Sequence, residues 1–348
     1  MTATIFSKGL QSILEANWTL RLETPMCIKS GAKTAFKPTG LGNKTRLTQM
    51  GFDWHAPKGD APNAVELMDL HSGVRVTEEG ATAVYTIPET SLRGALRSWV
   101  LKRLVAKDNR KLLNEADEGD EGANRLANAL RSDGAERDPG LCLAADVFGV
   151  AAGEKESETV SLSHAGRLRA TVSPLSESAP APWVQGNEWA AGYNRFGPEN
   201  APRHICVRGP LDRITQGAKS GGLHYFLEFS PGMTFDATLR LVNPQPVHLD
   251  LLALWQREID AGTLRMGGLT AIGRGRLRVQ DFRYECFAVE GRQLPDLCGP
   301  PVDIDDADVF YGIWKRYPVP GAPDGFPALD ALLSEPAAEK QEDLSCTT

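Results

Sequence analysis

Helix-like and strand-like patterns follow one another along the 348 residues in the order β, α, β, β, α, β, which predicts an α+β fold. Two observations support this prediction. Apolar and polar residues alternate in four segments, and apolar residues recur at helical spacing in two others. The order is that of a ferredoxin-like (RRM-like) βαββαβ fold, in which two helices cover one face of a four-stranded antiparallel sheet.

The first strand is predicted at residues 17–24, and the first helix after Pro88. Thr90 or Ser91 can cap this helix, because a hydroxyl accepts a hydrogen bond from an unpaired amide. The apolar residues of the helix recur at every fourth position: Leu92, Leu96, Val100 and Leu104.

The second and third strands are predicted at residues 222–230 and 234–242, on either side of Pro231-Gly232. We expect them to form an antiparallel hairpin, because two alternating segments separated by a short turn usually do so. The second helix is predicted at 246–261 and the last strand at 276–287.

Three long segments interrupt this order and are predicted to be insertions in a single domain of residues 1–317. Residues 29–86 are a basic loop, 108–160 an acidic and partly helical insertion, and 174–219 an irregular segment rich in Pro, Gly and Trp. Residues 318–348, rich in Pro, Ala and acidic residues, are predicted to be a loose acidic tail.

Charge is segregated along the sequence. The net charge is −7, but residues 113–160 carry −8 and residues 285–348 carry −9, so the rest of the chain carries +10. Such asymmetry fits an anionic partner on one part of the protein, and the alternative is a solvated face with an acidic tail.

Several function classes are excluded by missing patterns. No apolar run approaches the roughly 20 residues that span a bilayer, so no membrane association is predicted. The six cysteines include no CxxC pair, which argues against a zinc site and favours a reducing, cytoplasmic location. No hydrolase or NTPase motif is present. We therefore predict no cofactor, no metal and no catalytic residue.

Two segments are suited to phosphate. The glycine-rich segment 267–275 offers close backbone approach beside Arg274 and Arg276, and the alternative is a flexible loop with solvated arginines. The start of the first helix offers amide groups and the positive end of the helix dipole, extended by Arg93 and Arg97. The alternative there is ordinary helix packing.

Taken together, these segments resemble the RAMP superfamily of CRISPR effector proteins. Residues 87–97, IPETSLRGALR, resemble its signature IPGSSLKGALR, and residues 147–149, VFG, resemble its LFG. Residues 213–235 are similar to its R-x-T-x-x-A…E…G-x-x-F block, and 267–275 to its glycine-rich loop. The resemblance extends in order over residues 17–287.

Within that superfamily the chain is most similar to the backbone subunit that polymerises along the guide RNA in antiviral and plasmid defence. The resemblance implies a ferredoxin-like palm, a thumb at 174–219, and several copies stacked helically on one crRNA. Base pairing then reads the target, DNA or RNA. Implied partners are a large subunit, a guide-capping subunit, a guide-processing nuclease and a helicase.

The resemblance also implies a set of RNA-binding residues. They lie in the early basic segment, at the start of the first helix, before the second strand and in the glycine-rich loop. They are Lys29, Ser30, Gly31, Lys33, Ser91, Arg93, Arg97, Arg213, Lys219, Gly267, Gly268, Arg274, Gly275 and Arg276.

The sequence departs from the family pattern at Glu89, where the signature has its first glycine, and in the early loop. Type III backbone subunits place a cleaving aspartate early in that loop, but here the first acid is Asp53. This favours the type IV backbone subunit, which binds RNA without cutting it. The alternatives are a type III metal-dependent endoribonuclease using Asp53 or Asp60, a guide-processing RNase, and a small-molecule-binding α+β domain.

Overall fold

The structure is a computed structural model that describes residues 9–39, 51–53, 65–78, 80–115, 120–130, 137–152, 162–177, 203–208, 224–289, 314–319 and 325–334. Among these residues, no helix is long and apolar enough to cross a membrane. The chain forms a mixed α/β fold around an antiparallel sheet, compatible with a ferredoxin-like fold.

The strands, in chain order, are β1 Ser12–Leu22, β2 Lys29–Thr39, β3 Gly51–Asp53, β4 Val65–Leu70, β5 Ser72–Thr77, β6 Gly80–Tyr85, β7 Gly149–Ala152, β8 Leu162–Ala165, β9 Leu168–Val172, β10 Ser176–Glu177, β11 Arg203–Arg208, β12 His224–Phe229, β13 Met233–Val242, β14 Leu277–Val289 and β15 Trp314–Pro318. The helices are α1 Glu89–Arg103, α2 Leu112–Glu115, α3 Asp120–Leu130, α4 Pro139–Phe148, α5 Pro246–Asp260 and α6 Pro327–Leu333. Short 3₁₀ turns lie at Lys107–Asn109 and Thr270–Ile272.

β1 is the centre of the main sheet, whose order is β10–β13–β1–β14–β15, with β9 also paired to β13. Burial alternates along β1, because successive side chains of a strand point to opposite faces. Trp18 on its buried face lies opposite Ala237 of β13 and Phe282 of β14. α1 packs against β9 and α5 against β14.

The two strands predicted to form a hairpin do not pair with each other. β12 pairs with β11, whereas β13 pairs with β1, β9 and β10. The Gly232 amide donates to the Leu22 carbonyl at 2.7 Å, and Phe229 bridges to Met26. The chain therefore turns across the end of β1. Alternation identified both strands, but it does not specify which strand is the partner.

Residues 29–86, predicted as a loop, contain the strands β2 to β6. β2 pairs with β3 and β4, and β5 pairs with β6. The prediction was wrong because β2 contains three lysines and a proline, which are uncommon in strands and obscure the pattern. Residues 108–160 contain α2, α3 and α4 and are partly helical, as predicted.

α1 begins earlier than the predicted caps. Pro88 is its N-cap residue and makes no side-chain cap bond, and the Ser91 amide donates to the Pro88 carbonyl at 2.8 Å. Thr90 and Ser91 thus lie within the first turn. Because proline has no polar side-chain atom, the N-cap residue offers no side-chain acceptor to the first-turn amides of α1.

The segment predicted to be a loose tail contains the docked helix α6. Asp250 of α5 is buried, and its Oδ2 accepts the amides of Ala328 at 2.7 Å and Leu329 at 3.0 Å. Leu329 and Leu332 are buried where α6 packs on α5 and α4. A carboxylate from a distant helix thus caps α6, a contact that no local pattern reveals.

A buried polar cluster joins α4 to the rest of the fold. Asp146 accepts two hydrogen bonds from Arg167 Nε, at 2.7 and 2.8 Å. Arg167 Nη1 also donates to the carbonyls of Val242, at 3.0 Å, and Asn243. Arg167 is 2% exposed. This one side chain therefore connects α4 to the end of β13.

His248 of α5 is the second partner of Asp146. The Gln245 amide donates to His248 Nδ1 at 2.8 Å, so Nε2 carries the proton and donates to Asp146 at 3.0 Å. Burial alone would raise the pKa of Asp146. The hydrogen bonds from His248 and Arg167, together with the charge of Arg167, outweigh this effect, and the pKa of Asp146 lies below its ordinary value.

Asp146→Asn is expected to lower the free energy of unfolding by about 3 kcal/mol, because Arg167 keeps a buried charge without its counterion. The folded-state pKa is depressed, so the carboxylate stabilises the fold above its unfolded-state pKa. That stabilisation is lost as pH falls through the folded-state pKa. Urea unfolding at several pH values should therefore show a weaker acid dependence in the variant. Equal effects from the exposed control Asp281→Asn would contradict this role.

Asp250→Ala is expected to release α6 at a cost of about 1–2 kcal/mol, because two helix-start amides lose their acceptor. Hydrogen exchange should accelerate over residues 327–333 while α5 keeps its protection. Asp250→Asn retains one acceptor oxygen and should preserve most of the docking. Unchanged exchange in Asp250→Ala would mean that apolar packing alone holds α6.

A candidate nucleic-acid interface

A cleft of about 1490 Å³ lies between the start of β2, one face of α1 and the loop at residues 262–271. In the part of the chain that the structure describes, the cleft lining contains no acidic residue. The charged residues that line it are Lys29, Lys102, Arg103 and Arg265. The cleft is therefore suited to an anion.

α1 presents a second face to this cleft, opposite in character to its buried apolar stripe. Ser91, Ala95, Ser98 and Lys102 recur every three or four residues, so they share one face of the helix. The three small residues leave space, and Lys102 ends the row beside Arg103. Both basic residues are exposed in the last helical turn, where the helix dipole favours positive charge.

Two glycines allow the loop to lie against the chain before β2. Gly267 has φ +82°, and a Cβ there would lie 2.7 Å from the Cys27 carbonyl oxygen. Gly275 has φ +71°, and its Cβ would lie 1.7 Å from the Met266 carbonyl oxygen. A side chain fits neither position, which explains the glycine-rich pattern in physical terms.

Hydrogen bonds fix this loop in place. The Gly268 amide donates to the Cys27 carbonyl at 2.8 Å, and the Gly275 amide to the Pro25 carbonyl at 2.9 Å. Arg265 spans the loop, with Nε donating to Gly262 O at 2.8 Å and Nη1 to Thr270 O at 3.1 Å. The sequence therefore builds a fixed edge of the cleft instead of the flexible alternative.

Arg274 has a structural role in this arrangement. Its Nε donates to Glu228 Oε1 at 2.9 Å, and the Glu228 side chain is fully buried. The ion pair attaches the glycine-rich loop to β12. The charge of Arg274 is thus largely balanced within the protein.

Arg93 and Arg97, predicted to hold guide phosphates, each donate a hydrogen bond to a backbone carbonyl. Arg93 Nη2 lies 2.5 Å from Phe148 O, and Arg97 Nη2 lies 3.0 Å from Leu113 O. Burial lowers the pKa of Arg93, and the charges of Arg169 and Arg97 lower it further. The prediction took these arginines as outward-facing because they lie off the apolar stripe. In the structure, α4 and the 107–115 segment cover that side of α1.

The structure brings four of the predicted residues into the cleft lining: Lys29, Ser91, Gly267 and Gly268. Ser30 and Gly31 follow the lining residue Lys29 in sequence, whereas Gly275 and Arg276 lie beyond the last lining residue, Ala271. None of these four lines the cleft. The side chain of Lys33 and all of Arg213 and Lys219 lie outside the described residues. Three basic lining residues, Lys102, Arg103 and Arg265, are absent from the predicted set of RNA-binding residues, although the sequence places them off the apolar stripe of α1 and beside the glycine-rich segment. The helical spacing from Ser91 to Lys102 was the signal for the first.

Metal-dependent chemistry has no visible ligand set in the described ranges. No group of three or more His, Cys, Asp or Glu residues there could hold a metal ion. The side chains of Asp53 and Asp69 and all of Asp60 fall outside these ranges.

A model of the RAMP superfamily matches residues 19–278, which include every element that lines the cleft. A search of curated proteins found no match. Because the family match covers well over half of the chain, the protein belongs to the RAMP superfamily of CRISPR-associated RNA-binding proteins.

Proposed function

We propose that this protein is a crRNA-binding backbone subunit of a type IV CRISPR effector complex, and that the basic cleft holds the guide. The observation that carries the proposal is the cleft itself, whose charged lining residues in the described chain are all basic. Family membership supports an RNA ligand over other anions.

The palm in this proposal consists of four strands in the order β14–β1–β13–β9, with α1 and α5. Its second strand is β9 and not the predicted 222–230 segment. Residues 174–219 remain the candidate thumb. Of these, β11 pairs with β12, and 178–202 lie outside the described residues.

Several copies bind one crRNA in a helical assembly and present it for pairing with target DNA or RNA, together with the other effector subunits. Lysine and arginine contacts to phosphate do not read sequence, so the cleft accepts any guide and base pairing selects the target. Within the described residues, Cys27, Cys142 and Cys286 form no disulfide, as expected for a protein of a reducing compartment.

Type IV is favoured over type III because residues 29–52 contain no acid. In the type III alternative, Asp53 or Asp60 would assist metal-dependent cleavage of target RNA. Asp53 belongs to β3, which pairs with β2 beyond the part of β2 that lines the cleft.

Lys102→Gln combined with Arg103→Gln is expected to weaken binding of single-stranded RNA about tenfold, because two phosphate contacts are lost. The dependence of log affinity on log salt concentration should become shallower by about two units. Fluorescence anisotropy across a salt series measures both quantities.

The matched control is Arg240→Gln with Arg283→Gln, two arginines whose side chains are 52% and 65% exposed on the sheet. This control should bind RNA as the wild type does. Equal losses in both variants would reflect general charge, and the guide path would then lie elsewhere.

The chain assembled on a guide is expected to leave a complementary target RNA intact in the presence of Mg²⁺. A denaturing gel of end-labelled target provides the measurement. Regularly spaced fragments that disappear in Asp53→Ala or Asp60→Ala would replace the type IV proposal by the type III endoribonuclease.

A further inference from the structure

The loop that closes the cleft carries two exposed apolar side chains at its tip. Leu269 is 37% exposed and Ile272 is 42% exposed. The Ile272 amide donates to the Leu269 carbonyl at 3.1 Å, closing a turn whose ends lie within about 7 Å. Leu269 also lines the cleft. The two residues therefore form an apolar tip at its edge.

Leu269 is an unfavourable residue for this position in the isolated protein. Its φ is +62°, in the left-handed region that favours glycine and asparagine. Elsewhere in the described residues, Asn243 is the one other non-glycine with positive φ. Leu269 thus combines backbone strain with apolar exposure. Strain of this kind is typical of functional sites, where a contact outside the chain can compensate.

The tip is held in place instead of being free to collapse onto the protein. The Leu269 carbonyl also accepts the Arg274 amide at 3.4 Å, and Arg265 bonds to the Thr270 carbonyl. Arg265 and Lys29 line the same cleft. An RNA strand whose phosphates meet these cations presents the apolar faces of its bases to an apolar group beside them.

We propose that Leu269 and Ile272 pack against the face of a nucleobase of the RNA strand in the cleft and separate that base from its neighbour. The inference rests on the proposed function, because it requires RNA in the cleft. It adds a contact to the base itself, beyond the phosphate contacts of the basic residues.

The test uses the full chain, freed of nucleic acid, with Leu269→Asn combined with Ile272→Thr. Asparagine tolerates the left-handed conformation, so this variant is compatible with the native loop. The probe is an oligoadenosine with one 2-aminopurine placed at successive positions. Wild type should raise its fluorescence at particular positions, because a separated base is no longer quenched by stacking.

The variant should lose that increase and bind oligoadenosine about fivefold more weakly, the lower range for loss of one base-stacking contact. Its affinity for inorganic polyphosphate should be unchanged, since that polymer has phosphates but no bases. Leu333→Asn, the same change at an exposed leucine of α6, should behave as wild type in every assay.

An unchanged 2-aminopurine signal and RNA affinity in the tip variant overturn the base contact. The proposed function then still stands if Lys102→Gln with Arg103→Gln weakens binding. A wild-type chain with no salt-dependent RNA binding overturns both. Unchanged RNA binding with weaker self-association would also overturn the base contact, and would make a second copy of the chain the occupant of the tip.

Discussion

The buried ion pair between Asp146 and Arg167 is the constraint on which the arrangement of the other elements depends. Arg167 immediately precedes β9 and also bonds to two carbonyls at the end of β13, so it aligns these strands as neighbours. α1 packs on β9, and one face of α1 lines the cleft. This ion pair thus positions one wall of the cleft through β9 and the helix that packs on it. The interaction is costly to break because each partner is left without a counterion.

The opposite edge of the cleft is fixed by close backbone contacts together with one ion pair. Gly267 and Gly275 approach the chain at 25–27 and Met266 so closely that no side chain would fit. Arg274 then fastens the loop to the buried Glu228. Both edges are therefore set before a ligand binds. The free-energy cost of ordering the protein when an anion binds is therefore small, and the affinity comes mainly from cations that are already in position.

The sequence predicted the central strand, both long helices, β13 and β14. Each of them has a clear periodicity of apolar residues, because one of its faces packs against the core. The sequence did not predict features that depend on contacts between segments distant in the chain. The pairing of β12 with β11 is a long-range choice that alternation does not specify. A helical pattern shows one buried face, and the packing of α4 on α1 creates a second, on which Arg93 donates to a backbone carbonyl. The sequence placed Lys102 off the apolar stripe but did not indicate that it lines the cleft.

Along most of this fold, the residue type at each position suits both its backbone conformation and its burial. At Leu269 it suits neither. A glycine there would relieve the backbone, and a polar residue would suit the exposure. Conflicts of this kind are expected where function outweighs stability. An apolar tip beside cations also favours one form of nucleic acid. A duplex presents phosphates but hides the faces of its bases, whereas a single strand exposes both. The cleft is therefore better matched to single-stranded nucleic acid than to a continuous double helix.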